Sequence, residues 1–303
     1  MTRIGIVGTN DVAHIHIVGL LTSNNYEIAG CYSPVNRQSM IFARQYRLIS
    51  YSSADALFKY ADAIDITDDM PEMMGLAELS LKALKHVFIA QPGRLSMKQM
   101  QLLKKLAEES GVVLQIGTGY KYCPVYHLLA DTMQTAMVVD IRHQLVNNGD
   151  ICAQLNMNLS YDFDFVTSII NANITKLDVR TWKKTENSPD LLHCRLECDN
   201  GCSINMMAYV VVESDPKLEM TFTSPDAVIR ADIFQSIIEK QYRTCNTTDN
   251  IFLDIYSIKS VHQHYLKDFY RAICNERGAI RNIDKQFQNV AAANYIVEKF
   301  YDL

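Results

Sequence analysis

Along the first 120 or so residues, short apolar runs alternate with stretches whose apolar positions recur every three or four residues. Ile4-Gly5-Ile6-Val7 opens the series and predicts a strand over 3–8; Ala13, Ile17 and Leu21 then share one helical face. Further strands are predicted over 26–32, 63–67, 86–90 and 112–116, with helices near 35–46, 73–84 and 96–109 between them. Ser52-Ser53-Ala54-Asp55 marks another helix start, and Ser96 and Gly111 bracket the 96–109 helix as N-cap and C-cap. Strands alternating with helices build βαβ units on a parallel sheet.

After residue 120 the pattern changes. A helix from Pro124 to about 133, a strand Val139–Leu145 and a helix over 158–171 precede five strand-like runs: 176–184, 191–198, 202–212, 216–223 and 227–233. Turn signals such as Asp199-Asn200-Gly201 and Ser224-Pro225-Asp226 separate them, which predicts an open, largely antiparallel sheet. Helices over 257–275 and 285–301, split at Glu276-Arg277-Gly278, close the chain. The expected fold is α/β: a doubly wound parallel sheet of Rossmann type over 1–120, then an α/β domain over 121–303 whose final helices can pack back on the first. A broad apolar sheet face is rarely left in water, so the second domain is expected to form a homodimer or homotetramer through that sheet.

Composition narrows the functional classes. The chain has 303 residues, 48% hydrophobic and 21% charged, with a net charge of −5 and no basic block, which argues against a nucleic-acid partner. No apolar run reaches the roughly 18 residues of a membrane span, and Thr2-Arg3 leads straight into a strand, so a cytoplasmic protein is expected. Its eight cysteines then read as reduced thiols; Cys194, Cys198 and Cys202 flank a hairpin and form no C-x-x-C pair, so no metal site is expected. His14 with His16, and His262 with His264, sit at i, i+2 on different helix faces and make poor metal pairs. Met70, Met73 and Met74 are expected to form an apolar patch, and Trp182 to pack in the core or against a second subunit.

The chemistry is concentrated at the end of the first strand. Gly8-Thr9-Asn10-Asp11-Val12-Ala13 is nearly the G-x-G-x-x-G/A turn that lays a dinucleotide pyrophosphate on a helix N-terminus. Gly8 and Ala13 fit; the second glycine is Asn10, which tolerates left-handed backbone angles but fills space the phosphate needs.

Four segments in order resemble the Gfo/Idh/MocA oxidoreductases over nearly the full length: Ile4 to Ala13 with His16; Asp62-Ala63-Ile64-Asp65-Ile66-Thr67; Ala83 to Pro92, similar to that family's A-G-K-H-V-x-x-E-K-P; and Tyr120-Lys121-Tyr122-Cys123-Pro124, similar to its R-R-F-x-P. The resemblance implies an NAD(P)-dependent oxidoreductase acting on a small polar, sugar- or polyol-like substrate between two domains. It also implies the cofactor residues Gly8, Thr9, Asn10, Val12, Ala13, Ser33, Arg37, Thr67, Asp68 and Gln91. Gln91, Lys121, Tyr161 and Asp164 take the catalytic positions.

The departures carry equal weight. Gln91 replaces the family's lysine and cannot transfer a proton; Ala90 replaces its glutamate. Aligning Asp164 with the last Asp of D-x-x-x-H-x-x-D places Tyr161 at the histidine and Met157 at the first Asp, and no histidine lies between His143 and His193. Tyr, with a pKa of about 10, is a poor base unless a cation such as Lys121 acts on it; alternatively Lys121 is an ordinary surface lysine. Ser33 with Arg37 either accepts a 2′-phosphate, favouring NADP, or is a helix cap beside a solvated arginine. Asp68 and Asp69 beside a pyrophosphate would cost on the order of 4 kcal/mol per like-charge pair at about 4 Å and an effective dielectric of about 20, or little if both face solvent. Three readings follow: an impaired NAD(P)-dependent enzyme, a non-catalytic ligand sensor or partner subunit, and a reductase resembling biliverdin reductases, which also lack the motif lysine.

Overall fold

The computed structural model describes the chain except residues 70–71, 94, 118, 147–150, 186–187, 212–214, 244–246, 254–257, 276–282 and 302–303. Met70 and the predicted break at Glu276-Arg277-Gly278 lie outside the described residues. The chain forms two compact units, Met1–Gly117 with Ile258–Phe287, and Thr118–Ser257 with Gln288–Leu303.

The first unit carries a five-stranded parallel sheet. Its strands are β1 (Thr2–Val7), β2 (Tyr26–Tyr32), β3 (Ala63–Ile66), β4 (His86–Ile89) and β5 (Leu114–Ile116), in the order β2-β1-β3-β4-β5. The strand order reverses between β1 and β3, and ligands of open α/β sheets bind at the carboxyl ends beside such a reversal. The helices are α1 (Asp11–Leu21), α2 (Asn36–Tyr46), α3 (Ala54–Phe58), α4 (Met73–Lys82), α5 (Met97–Ser110) and, from the far end of the chain, α8 (Ile258–Ile273). Local signals explain their bounds. Ser53 caps α3, Ser96 and Gln99 form a capping box on α5, and Gly111 ends α5 in the left-handed conformation at φ 65°. All four residues of β3 are buried, as expected of a strand covered on both faces. One of them is Asp65, and its presence there requires a partner. Met73 is buried in the same core.

The second unit is built on an eight-stranded sheet, order β13-β12-β11-β10-β6-β9-β8-β7. It comprises β6 (Val138–Val146), β7 (Ile174–Thr185), β8 (Ser188–Cys198), β9 (Ser203–Val211), β10 (Lys217–Thr223), β11 (Ala227–Asp232), β12 (Ile237–Tyr242) and β13 (Thr248–Phe252). Neighbours are antiparallel except β6 and β9, which run parallel. Helices α6 (Pro124–Thr132) and α7 (Ile151–Ile169) supply the opposing apolar layer, with residues of α9 (Ile283–Tyr301) joining the same core. Cys194, Cys198 and Cys202 lie in it, and burial pushes the Cys194 thiol up to about 12.

Two expectations are corrected here. The outward face of this sheet is not apolar: Asp140, Arg142, His193, Arg195, Glu219 and Arg230 are exposed on it, while their neighbours in sequence point into the core. Alternation along the strands puts the buried apolar set on the helix-covered side and leaves a mixed, charge-bearing outer face. Trp182 is 51% exposed, which rules out its core alternative and not the subunit contact. Among the described residues no helix is long and apolar enough to cross a membrane.

Candidate functional site

The candidate cofactor residues follow the carboxyl ends of successive strands: Gly8 to Ala13 after β1, Ser33 and Arg37 after β2, Thr67 and Asp68 after β3, and Gln91 after β4. Gly8 turns the chain at φ 120°, and a Cβ there would come within 2.7 Å of the Asp68 Cγ, so only glycine permits this approach. Asn10 is not left-handed. It sits at φ −76°, ψ −176° as the N-cap of α1, where its Oδ1 accepts from the Ala13 N–H at 3.0 Å. Its Nδ2 donates to the Thr67 carbonyl at 3.0 Å, tying the β1 loop to the β3 loop. The Asn10 side chain therefore does not fill the phosphate position.

Asp68 does. Its carboxylate accepts from the Thr9 N–H at 3.0 and 3.1 Å and from the Asn10 N–H at 2.9 Å. These are backbone donors of the loop that cradles a pyrophosphate in a dinucleotide-binding turn. Of the two alternatives, solvent exposure does not describe Asp68: its carboxylate turns inward onto the loop amides, where a like charge would meet it. Burial raises the Asp68 pKa, and the Asn10 and Thr9 N–H groups pull it back. As folded, the residues present do not fit a pyrophosphate. A cleft of about 300 Å³ opens beside the carboxylate, lined by Thr9, Asn10, His14, Gln38, Phe42 and Asp68 among others. Ser33 is buried and accepts from the Val35 N–H at 3.3 Å; Val35 is the N-cap of α2 and gives it no side-chain cap, and Arg37 is exposed in the first turn. Val12 and Gln91 are half-buried.

In the second unit, Tyr161, Asp164 and Ser168 recur at i, i+3 and i+7 along α7, one face of a helix. Lys121 bridges two of them: its Nζ donates to the Ser168 Oγ at 3.0 Å and lies 3.6 Å from the Asp164 Oδ2. The cation expected to act on Tyr161 is thus committed to Asp164 and Ser168, with 11% of its side chain exposed, so it is no ordinary surface lysine. The other Asp164 oxygen accepts from the Asn289 Nδ2 at 3.2 Å, and the same amide reaches the Thr167 Oγ1. Burial, together with the Asp164 charge, raises the Tyr126 phenol to about 12. Tyr161 packs on Gly119, at φ 58°, where a Cβ would come within 2.6 Å of the tyrosine Cβ, and meets the Tyr120 ring edge-on at 5.9 Å.

Tyr161 and Asp164 therefore share α7, and Lys121 reaches Asp164 from the turn before α6, all in the second unit, whereas Gln91 belongs to the first unit. Ser168 and Asn289 were not foreseen. The four-residue step from Asp164 to Ser168 was a usable signal; nothing local marks Asn289. Two buried pairs were also missed. His16 Nδ1 lies 2.7 Å from the Asp65 Oδ2, and its Nε2 lies 2.6 Å from the His262 Nδ1, a carboxylate–imidazole–imidazole chain joining β3, α1 and α8. His143 Nδ1 lies 2.6 Å from the Asp162 Oδ2 with both side chains buried. Among the described residues no group of three or more acidic, histidine or cysteine side chains is placed to hold a metal ion.

Comparison with known proteins places this geometry. Residues 2–118 match the model of the oxidoreductase family with NAD-binding Rossmann fold, GFO_IDH_MocA. Among curated proteins, glucose-6-phosphate 3-dehydrogenase of Bacillus subtilis is 26% identical over 132 residues, 43% of this chain; the match spans 37% of that protein's length. UDP-N-acetylglucosamine 3-dehydrogenase of Acidithiobacillus ferrooxidans is 20% identical over 82% of this chain and 80% of that protein. A crystal form of the latter superposes with a TM-score of 0.86 over 99% of this chain and 98% of its own, at 18% identity. Biliverdin reductase of Synechocystis sp. PCC 6803, solved with biliverdin and NADP+, superposes with a TM-score of 0.80 over 98% of each chain at 14% identity. These superpositions show the fold: a Rossmann sheet followed by a mostly antiparallel one. The family match is confined to the N-terminal Rossmann unit: residues 2–118 are similar to the NAD-binding domain of the Gfo/Idh/MocA oxidoreductases.

Proposed function

We propose that this chain binds a small polyhydroxylated ligand, sugar- or polyol-like, and that the hydride-transfer chemistry of its family is impaired in it. The observation that carries this reading is the commitment of Lys121 to Asp164 and Ser168. A buried ammonium, a carboxylate and a phenol along one side of α7 form a set of donors and acceptors suited to vicinal hydroxyls. Gln91 contributes a neutral amide, which cannot transfer a proton, where the family has a lysine. The names of the two curated relatives, both sugar 3-dehydrogenases, support the ligand class. The cofactor of this family type is NAD or NADP, and the roles divide near residue 120. A homodimer or homotetramer built on the C-terminal sheet would pair charged positions rather than apolar ones.

The second reading, a ligand sensor or partner subunit with no turnover, is favoured by one observation: Asp68 already holds the Thr9 and Asn10 amides. A biliverdin-reductase-like activity is supported by the fold match and by the shared lack of the motif lysine, Gln91 here, and by nothing else at the site.

Thermal-shift and calorimetric titration with myo-inositol, glucose 6-phosphate and UDP-N-acetylglucosamine test the proposal, with NADH and NADPH oxidation followed in parallel. At least one ligand should bind, Asp164→Ala should abolish that binding, and Tyr161→Phe should remove any residual turnover. No binding by any of the three, or rapid turnover indifferent to Tyr161→Phe, would overturn it.

A further inference from the structure

We propose that Asp68 sets the affinity of the nucleotide seat: its carboxylate is the resident anion of the Thr9 and Asn10 amides, and a dinucleotide binds by displacing it. The inference goes beyond the ligand reading above and does not rest on it, since it concerns the first unit alone.

Three features hold the carboxylate in place. Both of its oxygens lie within 3.1 Å of the Thr9 nitrogen, and Oδ1 also accepts from Asn10. Gly8, at φ 120°, leaves the space that the Asp68 side chain fills. The Asn10 Nδ2 bond to the Thr67 carbonyl fastens the loop that carries Asp68 to the loop that receives it. A third donor is also taken, because the Ala13 N–H is capped by Asn10. A helix N-terminus and its preceding loop attract one anion strongly. Here that anion is supplied by the chain itself, at the strand-order reversal where β1 and β3 are neighbours. A pyrophosphate approaching these amides meets a like charge and finds the donors occupied.

The remainder of the seat is open. The cleft of about 300 Å³ begins at Asp68 and continues along His14, Gln38 and Phe42, so removing the carboxylate leaves room rather than a collapsed site. This distinguishes a plugged nucleotide site from a lost one and predicts a gain of binding.

Calorimetric titration of the full chain with NADH, NADPH and adenosine, for the unmodified protein, Asp68→Ala and Asp68→Asn, tests the proposal without reference to activity. The unmodified protein should bind both dinucleotides in the millimolar range. Asp68→Ala should tighten the better one about 10- to 100-fold, the effect of removing one charge-assisted competitor. Asp68→Asn keeps an acceptor oxygen but no charge and should tighten it less; if the alanine variant fails to fold, the asparagine variant carries the test in the same direction. Adenosine, which has no phosphate, should change by less than about twofold, as expected if the competition is for the phosphate position. Micromolar binding by the unmodified protein, unchanged or weaker binding by the variants, or an equal gain for adenosine would each overturn the proposal. None of these outcomes depends on whether a sugar binds in the second unit.

Discussion

His16→Ala should lower the unfolding free energy by about 3–5 kcal/mol, the cost of leaving a buried charge without its partner. Asp65 is fully buried within β3. One of its oxygens lies 2.7 Å from the His16 Nδ1, and the other has no hydrogen-bond partner among the described residues. Without the imidazole the carboxylate would be stranded in low dielectric with no water to solvate it. Adding Asp65→Asn to His16→Ala should recover much of the loss, because an amide costs less to bury than a carboxylate. The far end of the chain of groups adds a pH dependence. Burial, and then the His16 charge, lower the His262 pKa from 6.5 to about 3. A histidine depressed on folding contributes stability that is complete above its unfolded value and is lost as the pH falls. The window runs from 6.5 down to about 3, with a slope approaching about 1.4 kcal/mol per pH unit. Urea unfolding across that range should show the slope, and His262→Gln should flatten it. A loss under about 1 kcal/mol for His16→Ala would mean that Asp65 is solvated or protonated and the relay has no structural role.

Lys121→Met should cost about 3 kcal/mol and abolish ligand binding, for a related reason. Only 4% of the Asp164 side chain is exposed, and its Oδ2 has no hydrogen-bond partner among the described residues, so the ammonium 3.6 Å away is its compensation. Methionine retains the length of the stem and removes the charge, which separates packing from electrostatics. Asp164→Asn in the same background should restore stability without restoring binding. The double-mutant cycle should therefore show a coupling well above the 0.5 kcal/mol or so expected of independent sites. Additive effects would mean that Lys121 and Asp164 act separately, and the reading of a committed cation would fall.

Much of the fold could be read from local pattern. The strand Tyr26–Tyr32 is legible because a mostly apolar stretch sits between Asn24-Asn25 and Ser33-Pro34, and α5 because Ser96 and Gly111 are strong end signals. Two strands were missed, Ile237–Tyr242 and Thr248–Phe252. The first mixes apolar and charged residues without clean alternation, and the second is rich in Thr, Asp and Asn, residues that form a strand here because a neighbour offers its hydrogen bonds. Helix α7 begins at Ile151 rather than near 158 because Gln154, Asn156 and Asn158 interrupt the apolar pattern. They do so for a reason: Asn156 bonds Asn294, and Asn158 accepts from the Tyr120 hydroxyl.

The site was legible in its residue types but not in its pairings. Asp68 lies 58 residues from Asn10, and only the adjacency of β1 and β3 brings them together. The relay pair His16 and His262 is separated by 246 residues. A sequence shows that two carboxylates follow β3; it cannot show that one of them turns back to serve as the anion for the loop of β1. For the same reason Asn10 was assigned the obstruction that belongs to Asp68.

The central claim is that the nucleotide seat already holds its anion, and the amide resonances of Thr9 and Asn10 in 15N-labelled protein report on it directly. If Asp68 occupies them, both should lie downfield, should move together as Asp68 titrates, and should stay in place when NADH or NADPH is added at micromolar concentration. Resonances indifferent to Asp68 that shift at once with micromolar dinucleotide would contradict the account.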